Sequence, residues 1–209
     1  MTASRTPASG TTNFWDTSAT PPSLPVVLAS RSPQRREILG RLNLDFTVRI
    51  TDAEEVEQGE PRAVALENAL RKARAARRVG GLDTPEIVIG CDTIVALDGR
   101  LYGKPADAAE AAATIAALAG RTQEVISGLA VLVGGEERTA VAVTEVTFVP
   151  LDDAGVRAYV ATGEWRERSG GYAIQGAGSA LVESIDGEVE NVVGLPLAPL
   201  LQLCPELGS

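Results

Sequence analysis

Two long runs of β-forming residues in the second half of the chain restrict the fold more than any other feature. Residues 124–133 and 138–149 are rich in Val, Ala and Thr, and Gly134-Gly135 stands between them. A glycine pair between two such runs is typical of a tight turn. The two runs therefore predict one long antiparallel hairpin, and with it an extended sheet.

Helical segments alternate with further strands around this hairpin. Asp98-Gly99 and Asp186-Gly187 are hairpin signals, and residues 195–203 predict a short terminal helix. Hairpins together with crossover helices predict an α/β domain with a mixed sheet. The predicted helices cover residues 33–42, 61–79, 106–119 and 152–161. The predicted shorter strands cover residues 25–29, residues 46–50, and residues 86–90 with a continuation through residues 94–97.

The first 24 residues differ in composition from the rest of the chain. They are mostly Ser, Thr, Ala and Pro and lack the apolar core of a signal peptide. We expect a disordered arm over residues 1–24 and one folded domain over residues 25–209. The chain has no apolar run long enough to span a bilayer. The sequence therefore predicts a cytoplasmic protein with no membrane partner.

Charge and residue usage narrow the chemistry. The chain has no histidine, which excludes serine-histidine and cysteine-histidine mechanisms and histidine-bound metals. A catalytic metal would need oxygen ligands, which suits Mg²⁺ or Mn²⁺. The formal net charge of −9 disfavours stable nucleic-acid binding, so an anion would bind only where the few cations converge.

The segment 30–37 combines a helix start with cations. Ser32 fits the N-cap and Pro33 the first helical position, yet Arg35 and Arg36 fall in the first turn, where the helix dipole disfavours positive charge. A bound anion would remove that conflict. Two solvated arginines at a surface helix start would explain the same residues equally well.

Three further segments are candidates for chemistry. Asp92 ends a buried strand, where a carboxylate is costly without a cation, although it could also cap a turn. Lys72 lies on an alanine stripe of the helix 61–79, and a solvated lysine is the simpler interpretation. Lys104 stands between Gly and Pro after a hairpin that returns toward Asp92. Glu55, in the acidic loop 51–60, is by itself typical of a solvated surface.

The glycine-rich segment 166–176 is the last candidate. Glycine lets backbone approach a ligand closely, and Gln175 offers both a donor and an acceptor to a nucleobase. An ordinary flexible loop is the alternative. Scarce cations near strand ends and glycine-rich turns, beside candidate metal-binding acids, together favour a polyphosphate and a divalent cation.

Four ordered segments carry a family resemblance. They are LASRSPQRREIL, GCDTIVALDGRLYGKP, TEVTFVPL and GGYAIQGAGSALVESIDGEVENVVGLPL. They closely resemble the Maf family, also called septum-formation inhibitor-like proteins, in order from about residue 26 to residue 200. The resemblance implies a two-lobed α/β fold similar to the inosine-triphosphate pyrophosphatases, with an elongated mixed sheet, flanking helices and a cleft between the lobes. It also suggests a homodimer.

The resemblance implies a reaction and a set of residues. A nucleoside triphosphate is expected to be hydrolysed to the monophosphate and pyrophosphate, as in cleaning of the nucleotide pool. Asp92 corresponds to the family's proton acceptor for a metal-activated water, and Glu55 to its metal-site carboxylate, so Glu55 and Asp92 are the expected metal ligands. Lys72 and Lys104 are expected to act in catalysis. Ser30, Arg31 and Arg35 are expected to bind the phosphates.

Substrate choice in the family is linked to Gln34, Thr93 and Gln175. Thr93 and Gln175, with Tyr172, resemble the subgroup that acts on dTTP and UTP. Gln34 departs from both subgroups, which usually have Arg or Trp there, and Asn191 resembles the subgroup that acts on 7-methyl-GTP. The alternatives to a dTTP/UTP enzyme are therefore a 7-methyl-GTP-type specificity and a nucleotide-sensing regulator of cell division with little catalysis.

Overall fold

A seven-stranded mixed sheet forms the centre of the computed structural model, which describes residues 24–208. The predicted arm, residues 1–24, lies outside the described residues except for Leu24. The strands are β1 (Val26–Leu28), β2 (Phe46–Val48), β3 (Ile87–Leu97), β4 (Arg100–Tyr102), β5 (Thr122–Val133), β6 (Glu136–Phe148) and β7 (Val182–Asp186). Their order is β2-β1-β3-β5-β6-β7, and β4 pairs with β3.

Six α-helices flank this sheet. They are α1 (Pro33–Gly40), α2 (Pro61–Gly80), α3 (Ala108–Leu118), α4 (Asp153–Ala161), α5 (Val189–Val193) and α6 (Leu197–Leu203). The glycine-rich segment 166–176 contains a short 3-10 turn at Ser169–Gly171, and a second turn covers Ala177–Leu181. The α/β class and the mixed sheet predicted from the sequence are confirmed.

The long hairpin has the predicted position. β5 and β6 pair antiparallel from Thr122↔Thr147 to Val133↔Glu136. Gly134 and Gly135 between them have φ values of 55° and 85°, a region that side chains other than glycine rarely adopt. Asp98-Gly99 likewise joins β3 to β4. The predicted continuation of strand 86–90 through residues 94–97 is confirmed, since β3 is one strand from Ile87 to Leu97 and its pairs with β5 run without a break from Val88 to Ala96.

The hairpin prediction at Asp186-Gly187 is wrong. β7 ends at Asp186 and pairs with β6, but the chain then enters α5 instead of a returning strand. Gly187 has a φ of 126°, and the hydroxyl of Thr144 binds the carbonyl of Glu188. The same turn residues therefore serve a strand-to-helix connection here, since the next segment packs its apolar side chains against the sheet.

The two faces of the sheet are covered differently. Helix α2 packs on one face, where alanines of the helix meet Val88, Ala130 and Ile126. The other face carries two separate apolar clusters, one around α1 and α6 and one around α3 and α4. The latter two clusters correspond to the two lobes expected from the family resemblance.

A break in strand pairing separates the lobes. β1 pairs with β3 from Ile87 to Ile89, and β4 pairs with it only from Val95 onward. Within residues 24–208, no strand pairs with this side of β3 at residues 90–94, a stretch called the open edge below. The break leaves one side of the central strand without a strand partner, and Asp92 and Thr93 lie in this stretch. In the described part of the chain, no helix is both long and apolar enough to cross a membrane.

Candidate active site

Asp92 lies in the open edge and faces helix α2. It is opposite Gly128 of β5 and only 7% exposed. Lys72 Nζ lies 2.5 Å from Asp92 Oδ1, and Asn68 Nδ2 donates to Asp92 Oδ2 over 3.2 Å. Each carboxylate oxygen thus has its own donor, which offsets the cost of burying the charge.

Helix α2 approaches this strand closely because two glycines lie beneath it. A Cβ on Gly90 would collide with the carbonyl oxygen of Ala69, and one on Gly128 would collide with that of Ala65. The absence of side chains at both positions lets the helix lie directly on β3 and β5. The close approach brings Asn68 and Lys72 within reach of Asp92.

Lys72 also joins Asp92 to the acidic loop. Its Nζ lies 2.8 Å from Glu55 Oε1, and its side chain is 17% exposed. The structure therefore brings together Asp92, Lys72 and Glu55, which the sequence analysis had assigned to catalysis and metal binding. The ammonium between two carboxylates balances one of their two negative charges.

The acidic loop is held on α2 by several further contacts. The amide of Asn68 bonds both the N–H and the C=O of Val56, at 2.7 and 3.0 Å. Arg71 donates to the carbonyl of Glu54 over 3.2 Å. Arg31, which precedes α1, ties the same loop to another part of the molecule by pairing with Asp52. Asn68 is not among the residues predicted from the sequence. An amide on an alanine-rich helix, one turn before Lys72, is the sequence feature that could have indicated it.

The residues around Lys72 fit a divalent cation. Magnesium is commonly held by one or two carboxylates together with substrate phosphates and water. Glu55 and Asp92 supply two carboxylates that already share one cationic neighbour. Among residues 24–208, no cluster of three or more acidic or cysteine side chains could hold a metal, so a cation here would also need ligands from the substrate.

Thr93 faces the opposite side of the sheet, because successive strand residues alternate. Its hydroxyl accepts from Arg35 Nη2 at 3.0 Å and lies 2.8 Å from Ser127 Oγ. Arg35 Nη1 donates to Ser30 Oγ over 3.3 Å, and Arg35 Nε to the carbonyl of Gly194 over 2.8 Å. Ser30, Arg35 and Thr93 therefore form a second group, separated from Asp92 by the strand itself.

A small cleft opens beside Thr93. Gln175 and Tyr172 line it together with valines of β3, β5 and α5, so the expected specificity residues Thr93 and Gln175 share one cavity. Ser169 Oγ closes one end by donating to the carbonyl of Thr93 over 2.7 Å. Burial raises the pKa of Tyr172 well above its usual range, so its hydroxyl stays protonated.

The structure does not bring three predicted residues into these two groups. Lys104 pairs with Glu167 over 3.1 Å at the rim of the cleft, with 59% of its side chain exposed. Gln34 accepts from Ser32 Oγ, and Arg31 is paired with Asp52 on the surface. Glu167, which the sequence analysis did not single out, has a φ of 58°, an uncommon value for a residue with a side chain.

Comparison with known proteins gives concordant matches. A family model described as Maf-like protein matches residues 25–207. A dTTP/UTP pyrophosphatase of Deinococcus radiodurans is 44% identical over 184 residues, which are 88% of this chain and 93% of the relative. One of Thermococcus onnurineus is 46% identical over 185 residues, 88% of this chain and 97% of the relative.

A solved structure overlaps this one in part. It is the nucleoside-triphosphatase / dITP/XTP pyrophosphatase from Mycobacterium abscessus, at 22% identity, covering 61% of this chain and 76% of that chain with a TM-score of 0.42. The proposed function is based on the sequence relatives and the site geometry, and not on this partial overlap.

Proposed function

Because the chain belongs to the Maf-like protein family, we propose that it is a nucleoside-triphosphate pyrophosphatase acting on dTTP and UTP. The reaction consumes one water and yields the nucleoside monophosphate and pyrophosphate. The observation that carries the proposal is the convergence of Glu55, Lys72 and Asp92 at the open edge of β3. This convergence lies one residue along the strand from the cleft that Thr93 lines.

Asp92 is the proton acceptor in this proposal. A water oxygen attacks the α-phosphorus, the bond from that phosphorus to the bridging oxygen breaks, and the electron pair leaves with pyrophosphate. The water's proton passes to a carboxylate oxygen of Asp92. Asn68 and Lys72 orient that carboxylate before the reaction, since each donates to a different oxygen.

Positive charge near the triphosphate comes from the protein and from a divalent cation. Lys72 lies at the carboxylates, and Lys104 stands at the cleft rim, where a bound phosphate would compete with Glu167 for it. Glu55 and Asp92 would hold Mg²⁺ or Mn²⁺, which supplies charge that offsets the developing charge of the phosphates. Arg31 and Arg35 would bind phosphate oxygens, Arg31 by exchanging Asp52 for the ligand.

The cleft beside Thr93 is the proposed nucleobase site. It combines the amide of Gln175 with apolar side chains such as Val95 and Val125. Uracil and thymine each offer an N–H donor between two carbonyl acceptors, and an amide can bind both kinds of group. Ser30 and Arg35 lie on this same face, beside Thr93, so phosphate groups could bind next to the base. The carboxylates of Asp92 and Glu55 would then approach the phosphates from the other face, across the open edge.

One experiment tests this function directly. The purified protein is supplied with Mg²⁺ or Mn²⁺ and a panel of dTTP, UTP, ATP, GTP and 7-methyl-GTP, and both monophosphate and pyrophosphate are measured. We expect equimolar release of both products, fastest from dTTP and UTP. Binding of these nucleotides without pyrophosphate release would instead support a nucleotide sensor, and fastest cleavage of 7-methyl-GTP would support the other subgroup.

The same proposal includes a cytoplasmic homodimer. Ile50, Val79 and Leu82 each expose more than half of their area, and a second copy would cover such apolar side chains. Both cysteines, Cys91 and Cys204, are free and buried, which agrees with a reducing compartment. Light scattering of the full chain measures the assembly, and a monomer mass at all concentrations would contradict the dimer.

A further inference from the structure

Asn68 contacts both acidic parts of the site. It lies in α2, one turn before Lys72, and is 2% exposed. Its Oδ1 accepts from the N–H of Val56 at 2.7 Å, and its Nδ2 donates to the C=O of the same residue at 3.0 Å. This paired contact resembles one rung of a β-ladder. It fixes the backbone directly after Glu55.

The second proton of the same amide nitrogen serves Asp92. Asn68 Nδ2 lies 3.2 Å from Asp92 Oδ2, while Lys72 bonds the other oxygen of that carboxylate. One side chain therefore uses both amide protons and its oxygen on two segments 36 residues apart in sequence, at residues 56 and 92. The carboxylate plane of Asp92 cannot rotate without losing one of these donors.

We propose that Asn68 is a positioning residue that sets the spacing and orientation of Glu55 relative to Asp92. This inference rests on the proposed function, because it assigns Asn68 to the site at which the triphosphate and its cation would bind. Asn68 does not touch the substrate in this account. It acts through the two carboxylates, in the way that second partners of metal ligands commonly act.

Packing alone gives no reason for an amide at this position. The neighbouring α2 residues that face the sheet are Ala65, Ala69 and Ala73, all fully buried, so a small apolar side chain would fit the same surface. A buried amide costs free energy unless its groups are bonded. Arg71, which also holds the acidic loop, bonds only the carbonyl of Glu54 and a helix neighbour, and does not contact Asp92.

The test compares two substitutions of Asn68 with a control in the full-length protein. Asn68→Ala removes the amide, and Asn68→Leu removes its hydrogen bonds while it keeps the branching and the number of side-chain heavy atoms. Arg71→Ala is the matched control, since it releases the same loop from the same helix without touching Asp92. For each variant, kcat and KM for dTTP, Mn²⁺ affinity of the nucleotide-free protein, and Tm are measured.

We expect kcat to fall about 10- to 100-fold in both Asn68 variants, the range typical when a partner of a metal ligand is lost. Mn²⁺ affinity should fall about tenfold for the same reason, while KM stays nearly unchanged because Thr93 and Gln175 are untouched. The Arg71→Ala control should change kcat by no more than about twofold, because substitutions of partly exposed side chains usually have small effects.

A purely structural role would lower Tm and leave kcat and Mn²⁺ affinity of the folded fraction unchanged. That result, in whichever Asn68 variant stays folded, would overturn the inference. A wild-type protein that releases no pyrophosphate would instead overturn the proposed function. An active wild type with equally active Asn68 variants removes the role of Asn68 alone, so the two failures are distinguishable.

Discussion

Lys72 shows how one side chain can acquire a role that its local sequence does not reveal. On the helix it continues a stripe of alanines, and a solvated lysine was the simpler interpretation. In the structure its ammonium lies between Glu55 and Asp92, at 2.8 and 2.5 Å, and most of the side chain is buried. A cation in that position keeps two carboxylates close together, since without it like charges would repel.

A single substitution tests Asp92 as the proton acceptor. Asp92→Asn should reduce pyrophosphate release on the order of 10²–10³-fold or more, because the amide cannot accept the water's proton and no longer carries the charge that Lys72 pairs with. The variant should still unfold cooperatively, as shape and size are retained. Initial rates and thermal unfolding measured side by side check both parts.

A matched control makes this result specific. Asp98→Asn introduces the same chemical change at an exposed turn, where the carboxylate pairs only with Arg121 on the surface. It should keep a nearly normal rate, since a surface ion pair contributes little. Near-normal turnover in Asp92→Asn would reject Asp92 as the proton acceptor.

Helix α2 is the element on which the site depends. It carries Asn68 and Lys72, and two glycines of the sheet set its distance from the strands. The close contact is backbone against backbone, so neither partner can move aside in the way that a flexible side chain would. Loss of that fit should therefore affect stability and activity together.

Alanine substitutions of these two glycines test the close contact of α2 with the sheet. Gly128→Ala and Gly90→Ala should each lower the free energy of unfolding by about 1–3 kcal/mol, the usual cost of overpacking. Each should also reduce pyrophosphate release by moving Lys72 away from Asp92. Chemical denaturation and initial rates measure the two effects.

Gly40→Ala is the control for those variants. Gly40 ends α1 on the surface, and a Cβ there would meet nothing within 4 Å. It should leave stability and rate close to those of the wild type. If Gly128→Ala behaves like this control, α2 does not depend on the close contact.

At the scale of the whole molecule, the open edge joins two groups of residues that lie on opposite faces of the sheet. Asp92 faces α2, whereas Thr93 faces Arg35 and the cleft. A continuous sheet would keep these groups apart. Because pairing on one side of β3 is interrupted between β1 and β4, we expect one ligand to reach both faces around this edge.

Gln175 in that cleft is expected to take part in base selection. Gln175→Ala should lower kcat/KM for dTTP and UTP about 10- to 100-fold, the cost of leaving a bound polar group without its partner. Its preference for these nucleotides over GTP should shrink. Gln202→Ala, on the exposed side of α6, is the control of equal residue type and should change neither quantity. An unchanged preference in Gln175→Ala would exclude Gln175 from base selection.

Local patterns in the sequence determined the elements. Glycine pairs, helix starts and β-forming runs are short-range signals, so the β5–β6 hairpin, α2 and the α/β class followed from them. The absence of histidine limited the chemistry, and the family resemblance indicated Asp92, Glu55 and Lys72. The turn at Asp186-Gly187 was misread because the same residues serve a hairpin or a helix entry, depending on what packs next.

The tertiary structure alone decided how those residues meet. Asn68 gained its role through contacts with residues 56 and 92, which come together only once α2 lies on Gly90 and Gly128. Strand alternation put Thr93 on the opposite face from Asp92, and the break between β1 and β4 opened the edge between them. Such relations depend on long-range packing, and no local pattern of residues encodes the distance between two elements.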